Sequence, residues 1–128
     1  MTTRTVLGTI TLPAIAENIG RARHFATRLL AGSPLVESAE LLISEACTNS
    51  VRHSRSREGG TFTLILIDVS GTLRCEVIDS GGPTVPVRRN GAEPRDNGYG
   101  VLLIETLSSR SGHYTDDAGR LHTWFEFD

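Results

Sequence analysis

Glu45 and Asn49 stand four residues apart in a run that continues through Arg52 and His53. On a helix this spacing stacks a carboxylate, an amide and a basic group along one side. Such a stripe can carry polar chemistry, and it can equally be the solvated face of an ordinary amphipathic helix. A second candidate is Asp79-Ser80-Gly81-Gly82-Pro83, which also has the composition of a simple strand-ending turn. The third is Gly98-Tyr99-Gly100. Glycines at a helix start expose amide groups to an anion, aided by the partial positive charge of the helix terminus, or merely permit close packing where a loop re-enters the core.

The elements that must position these residues follow from periodicity. Thr5 to Leu12 alternates and predicts a first strand, and Pro13 opens a helix over Ala14 to Leu30 with Ile15, Ile19, Ala22, Phe25, Ala26 and Leu29 at helical spacing. Gly32-Ser33-Pro34 breaks the chain. Ser33 reads as an N-cap and Pro34 as the first residue of a second helix that runs to His53, with Leu41, Leu42, Ala46 and Val51 on azimuths other than the polar stripe. Thr61 to Val69 and Leu73 to Ile78 are apolar and β-branched around Ser70-Gly71, a hairpin signal. Thr84 to Asn97 is a long loop of the kind that tends to be functional. Val101 to Leu107 predicts a short helix, and His113 to Thr115 with Leu121 to Phe127 a closing hairpin around residues 116–119. Paired strands rather than alternating βαβ units imply an α+β protein, a two-layer α/β sandwich with a mostly antiparallel, mixed sheet and helices on one face.

Composition excludes several functions. All 13 basic residues are arginine, so the lysine of a P-loop or a Schiff base is missing. A net charge of -2 with scattered arginines supplies no basic stripe for nucleic acid. No apolar run reaches membrane-spanning length, and the amino terminus lacks a signal core, so the expectation is a cytoplasmic chain. The 128 residues read as one domain, 1–128. His24, His53, His113 and His122 lack zinc-ligand spacing, while Cys47 and Cys75 read as core fillers. Phe125, Phe127 and Trp124 read as core and edge residues.

In order, Ser44-Glu45-Ala46-Cys47-Thr48-Asn49-Ser50-Val51-Arg52-His53, Val77-Ile78-Asp79-Ser80-Gly81 and Gly98-Tyr99-Gly100-Val101-Leu102-Leu103-Ile104 resemble the N box and two glycine boxes of the GHKL ATPase superfamily, which shares the Bergerat nucleotide-binding fold. Within it the chain is most similar to the bacterial anti-sigma-factor serine kinases and their actinobacterial relatives. The resemblance implies a histidine-kinase-like ATPase domain that binds ATP with Mg²⁺. Asn49 would ligate the Mg²⁺. Glu45 would be the general base toward a serine hydroxyl. Asp79 would accept the adenine amino group, with Gly81 beside the base, Thr123 near the adenine, and Gly98 and Gly100 close to the phosphates. Arg95 would meet the terminal phosphate, with Arg88 and Arg89 as alternatives, since Arg95 stands one residue further from its glycine box than in relatives. Pro83 replaces a glycine that many members carry.

The function so implied is an anti-sigma factor that sequesters a sigma factor and phosphorylates a serine on an anti-anti-sigma partner, with a homodimer as the form of its relatives. The alternative is a regulatory binding module of the same fold with weakened or lost nucleotide binding, acting by protein contact. A sensor histidine kinase fragment is disfavoured, because His24 lacks the acceptor context and the chain has no room for a phosphoacceptor-helix domain. A transducer domain of the larger ATPases is likewise not expected.

Overall fold

Alternation along residues 61–69 leaves Phe62, Leu64 and Leu66 buried while Thr63 and Ile65 are half-buried, so this strand has one dry face. In the computed structural model, which describes residues 2–54, 58–81 and 103–128, that face lies under two helices. The elements are β1 (Arg4–Pro13), α1 (Glu17–Leu29), α2 (Val36–His53), β2 (Thr61–Val69), β3 (Thr72–Asp79), β4 (Arg110–Thr115) and β5 (Leu121–Phe127). Residues 103–107 are helical. The five strands form one sheet in the order β1-β2-β3-β5-β4, and each pair is antiparallel. Ala22 and Ala26 of α1, and Ala39, Leu42, Ile43, Ala46 and Cys47 of α2, meet Leu64, Leu66, Cys75, Val77 and Phe125 in one core. The expected α+β sandwich is what forms.

Four details differ from expectation, three of them boundaries. Pro13 closes β1 opposite Thr61 rather than opening α1, which starts at Glu17. A proline at the end of an edge strand forfeits little, and its carbonyl is used: the Asn18 side-chain amide donates to it at 2.9 Å. Ser33 caps the turn before α2, its Oγ accepting the Leu35 N–H at 3.1 Å, so the helix proper begins at Val36. β4 starts at Arg110, not His113, because Arg110 pairs in register with Glu126 and holds its carboxylate at 2.9 Å. Trp124 belongs to neither core nor rim. It lies on the sheet face away from the helices, beneath the Arg74 guanidinium at 4.3 Å. The turn joining β2 to β3 is as expected: Ser70 at φ 51° and Gly71 at φ 90° match a two-residue hairpin.

Candidate functional site

Asp79 ends β3 and is only 5% exposed, deep for a carboxylate. Both oxygens are engaged: Oδ2 accepts the Ser50 hydroxyl at 2.6 Å and Oδ1 the Gly81 N–H at 2.7 Å. A carboxylate accepts at about four lone-pair positions, so these bonds orient it without saturating it. Gly81 is there for a reason the backbone makes plain. Its φ is 74°, and a Cβ would stand 2.7 Å from the carbonyl oxygen of Gly119, so the β4–β5 turn and the end of β3 close on each other only over a glycine.

α2 brings the helical partners to this point. Its inner face is apolar through Ala39, Leu42, Ile43, Ala46 and Cys47 and then turns polar at Asn49 and Ser50, both buried. Ser50 satisfies Asp79. Asn49 keeps a donor without a match: its Nδ2 is buried and has no hydrogen-bond partner among the described residues. An unmatched buried polar atom costs about 1–3 kcal/mol, so an amide here asks for a partner beyond the described residues or a ligand. Glu45 sits one turn earlier on α2 and is half-buried. Thr123 of β5 pairs with Val77 while Leu121 pairs with Asp79, which puts Thr123 diagonal to Asp79 on the helix-facing side of the sheet. Thus Ser50, Asp79 and Gly81 are bonded together at one end of the sheet; Asn49 adjoins Ser50 on α2, Glu45 lies one turn before Asn49, and Thr123 is diagonal to Asp79. Arg95, Gly98 and Gly100 lie outside the described residues, as do Pro83, Arg88 and Arg89.

Two features escape a reading of the sequence. Ser50 stands beside Asn49 in the same box, yet its bond joins residues 29 apart and needs the helix and strand to be docked. The second is a polar network on the opposite face of the sheet. Glu76 accepts Arg74 on Oε1 at 3.0 Å, and on Oε2 it meets the Tyr114 hydroxyl at 3.1 Å and His122 Nδ1 at 2.6 Å. Burial alone would raise the Glu76 pKa, but the bonds from His122, Arg74 and Tyr114 outweigh it and hold the carboxyl below its usual range. His122 Nε2 reaches Asp116 at 2.8 Å, and that bond, followed by the Arg120 N–H, brings Asp116 down to about 2. No cluster of three metal-ligating side chains exists among the described residues. The two cysteines are free and buried, and burial pushes both thiols up to about 12, with Cys75 adding to the effect on Cys47.

The sequence profile of the histidine kinase-like ATPase domain matches residues 12–126, nearly the whole chain. The chain belongs to that family. The resemblance drawn from the three boxes is therefore borne out, and an ATPase domain implies an ATP-binding fold. No curated protein matches the chain significantly. Among solved structures, the crystal structure of the RsbU and RsbW domains of Rv1364c from Mycobacterium tuberculosis is similar, with a TM-score of 0.68 at 18% identity. That likeness, which is one of fold, covers 94% of this chain and 32% of the other, so this histidine kinase-like ATPase domain spans about a third of that longer protein. No helix among its described residues is long and apolar enough to cross a membrane.

Proposed function

We propose that residues 1–128 form one cytoplasmic ATP-binding domain that acts as an anti-sigma factor and serine-protein kinase. The observation that carries the nucleotide part is the cluster at the end of β3, where Asp79 is oriented by Ser50 and the Gly81 N–H within a family of ATPases. A carboxylate held this way presents its remaining lone pairs to an exocyclic amino group, and adenine has one where guanine has a carbonyl. Gly81 supports the base closely, and Thr123 lines the same end of the sheet. Arg95, Gly98 and Gly100 serve the phosphates.

Asn49 fits a Mg²⁺ ligand through its side-chain carbonyl oxygen, a neutral hard donor at a buried position of α2, while its Nδ2 calls for an acceptor and not for a cation. When bound, Mg²⁺ neutralises phosphate charge during transfer. Glu45, one helical turn away, takes the proton of the partner's serine hydroxyl as its oxygen bonds to the γ-phosphorus and the bond to the β-phosphate oxygen breaks, releasing ADP. The partners are a sigma factor, held by contact, and an anti-anti-sigma protein bearing the serine; the acting form is a homodimer.

Two measurements test this. Calorimetry with ATP should show binding, and an absence of heat at millimolar nucleotide removes the pocket assignment. Purified protein incubated with Mg-ATP and the co-purifying antagonist should yield phosphoserine, lost in Glu45→Ala. Nucleotide binding without transfer would leave a regulatory binding module instead of a kinase.

A further inference from the structure

His122 lies between two carboxylates on the sheet face away from the helices, with Nδ1 2.6 Å from Glu76 Oε2 and Nε2 2.8 Å from Asp116 Oδ2. A neutral imidazole has one N–H and one lone pair, so it can donate to only one of them and must aim a lone pair at the other. Only a ring carrying both protons satisfies both. The two acceptors are not equivalent. Glu76 is buried in β3 and tied to Arg74 and Tyr114, whose ring stacks on His122 with centroids 4.4 Å apart. Asp116 belongs to the β4–β5 turn, where its Oδ1 accepts the N–H of Ala118 at 2.9 Å and of Arg120 at 3.0 Å. Arg120 Nε also approaches Asp116 Oδ2 at 3.4 Å. Among the described residues, the charged and titratable groups around His122 are therefore Glu76 and Arg74 from β3, Tyr114 from β4, and Asp116 and Arg120 from the turn.

That turn is in contact with the candidate site. Gly119, three residues after Asp116, places its carbonyl oxygen where a Cβ on Gly81 would stand only 2.7 Å from it, and the Gly81 N–H is held by Asp79. Contacts thus run from Glu76 through His122, Asp116 and Gly119 to Gly81 and Asp79. We propose that His122 is a positioning residue: with both ring nitrogens protonated, it holds the β4–β5 turn through Asp116 against Gly81, and nucleotide affinity follows that proton. The inference rests on the reading of Asp79 and Gly81 as nucleotide contacts.

When the ring loses a proton, Nδ1–H stays with Glu76, which is shut away from water, and the Nε2 lone pair faces Asp116. The turn carboxylate then turns to solvent, and Gly119 loosens from Gly81. Asp116→Asn changes the logic, because a side-chain amide can donate to the neutral ring at Nε2 while its oxygen still accepts the turn amides.

The test is a pH titration that follows the His122 ring by NMR through its own protonation step. In nucleotide-free protein, NMR should show the amides of Gly81 and Gly119 shifting with the same midpoint as the His122 ring. Calorimetry with ADP should show wild-type affinity falling at least about fivefold, relative to Asp116→Asn at each pH, as the ring deprotonates. Taking that ratio cancels the titration of ADP itself. Amides that ignore the ring midpoint overturn the proposal, as does a ratio that stays flat through it. A wild type that binds no ADP at any pH sinks the nucleotide reading instead, and the amide titration still decides whether His122 governs the turn.

Discussion

Ser50 and Asp79 decide the site at the level of single atoms. Ser50→Ala leaves a 5%-exposed carboxylate with one oxygen unmatched, so the variant should lose about 1–3 kcal/mol in urea unfolding. A change below a few tenths would mean that water takes over the role of the hydroxyl. Asp79→Asn is a different perturbation. It puts an N–H where a donor must be accepted, from Ser50, from Gly81 or from adenine, and ATP affinity should fall at least about tenfold, one hydrogen bond to a charged group. Unchanged affinity in calorimetry would move the adenine elsewhere. Asp79 was legible because an apolar strand ends on it abruptly before Gly81. Ser50 was not, since a hydroxyl in a helix has no sequence signature for the strand residue it will meet, and only the docking of α2 on β3 creates the pair.

At the scale of elements, the strand and helix order was legible from periodicity and turn chemistry, whereas the cross-strand polar network was not. Glu76, His122 and Tyr114 become neighbours through the β3–β5–β4 registers, which alternation does not encode. Asp116 gives that network a pH signature. Its carboxyl stands at about 2 against an ordinary 3.8. A lowered value means that the folded turn binds the proton more weakly than the unfolded chain, so its contribution is complete above the ordinary value and fades as pH falls toward about 2. The amides of Ala118 and Arg120 should shift with a midpoint near 2 and lose that transition in Asp116→Asn; a midpoint near the ordinary aspartate value would deny the bond to His122. Gly81→Ala tests the same turn sterically. The residue would sit at φ 74° with its Cβ 2.7 Å from the Gly119 carbonyl oxygen. Relief requires the turn to move, at about 1–3 kcal/mol for the strained backbone alone, seen as a lower melting temperature together with shifted Gly119 resonances.

For the whole molecule, the apolar stripe on α1 shows what periodicity leaves open. Ala22 and Ala26 are in the core as expected, but Leu29 is 39% exposed, and Ile15, 50% exposed, lies in the bend before the helix and not on it. Helical spacing tells which side chains share a face, not how far the neighbouring sheet extends beneath them, and here the sheet ends at β1. The cysteines show the opposite case, a reading that burial upholds. Cys47 on α2 and Cys75 on β3 are each 0% exposed, and burial lifts their thiols to about 12. At pH 8 such a thiol is ionised in about one molecule in ten thousand, and the thiolate is the reactive form. Iodoacetamide should therefore label neither cysteine until the helix layer leaves the sheet. Because the two thiols sit on elements packed against each other, one opening exposes both, so their labelling rates should be equal and rise together with urea in step with global unfolding. Labelling of both cysteines that runs ahead of global unfolding would show α2 lifting from a sheet that stays folded. That outcome would make the docking of Asn49 and Ser50 beside Asp79 a local equilibrium, separable from the stability of the fold.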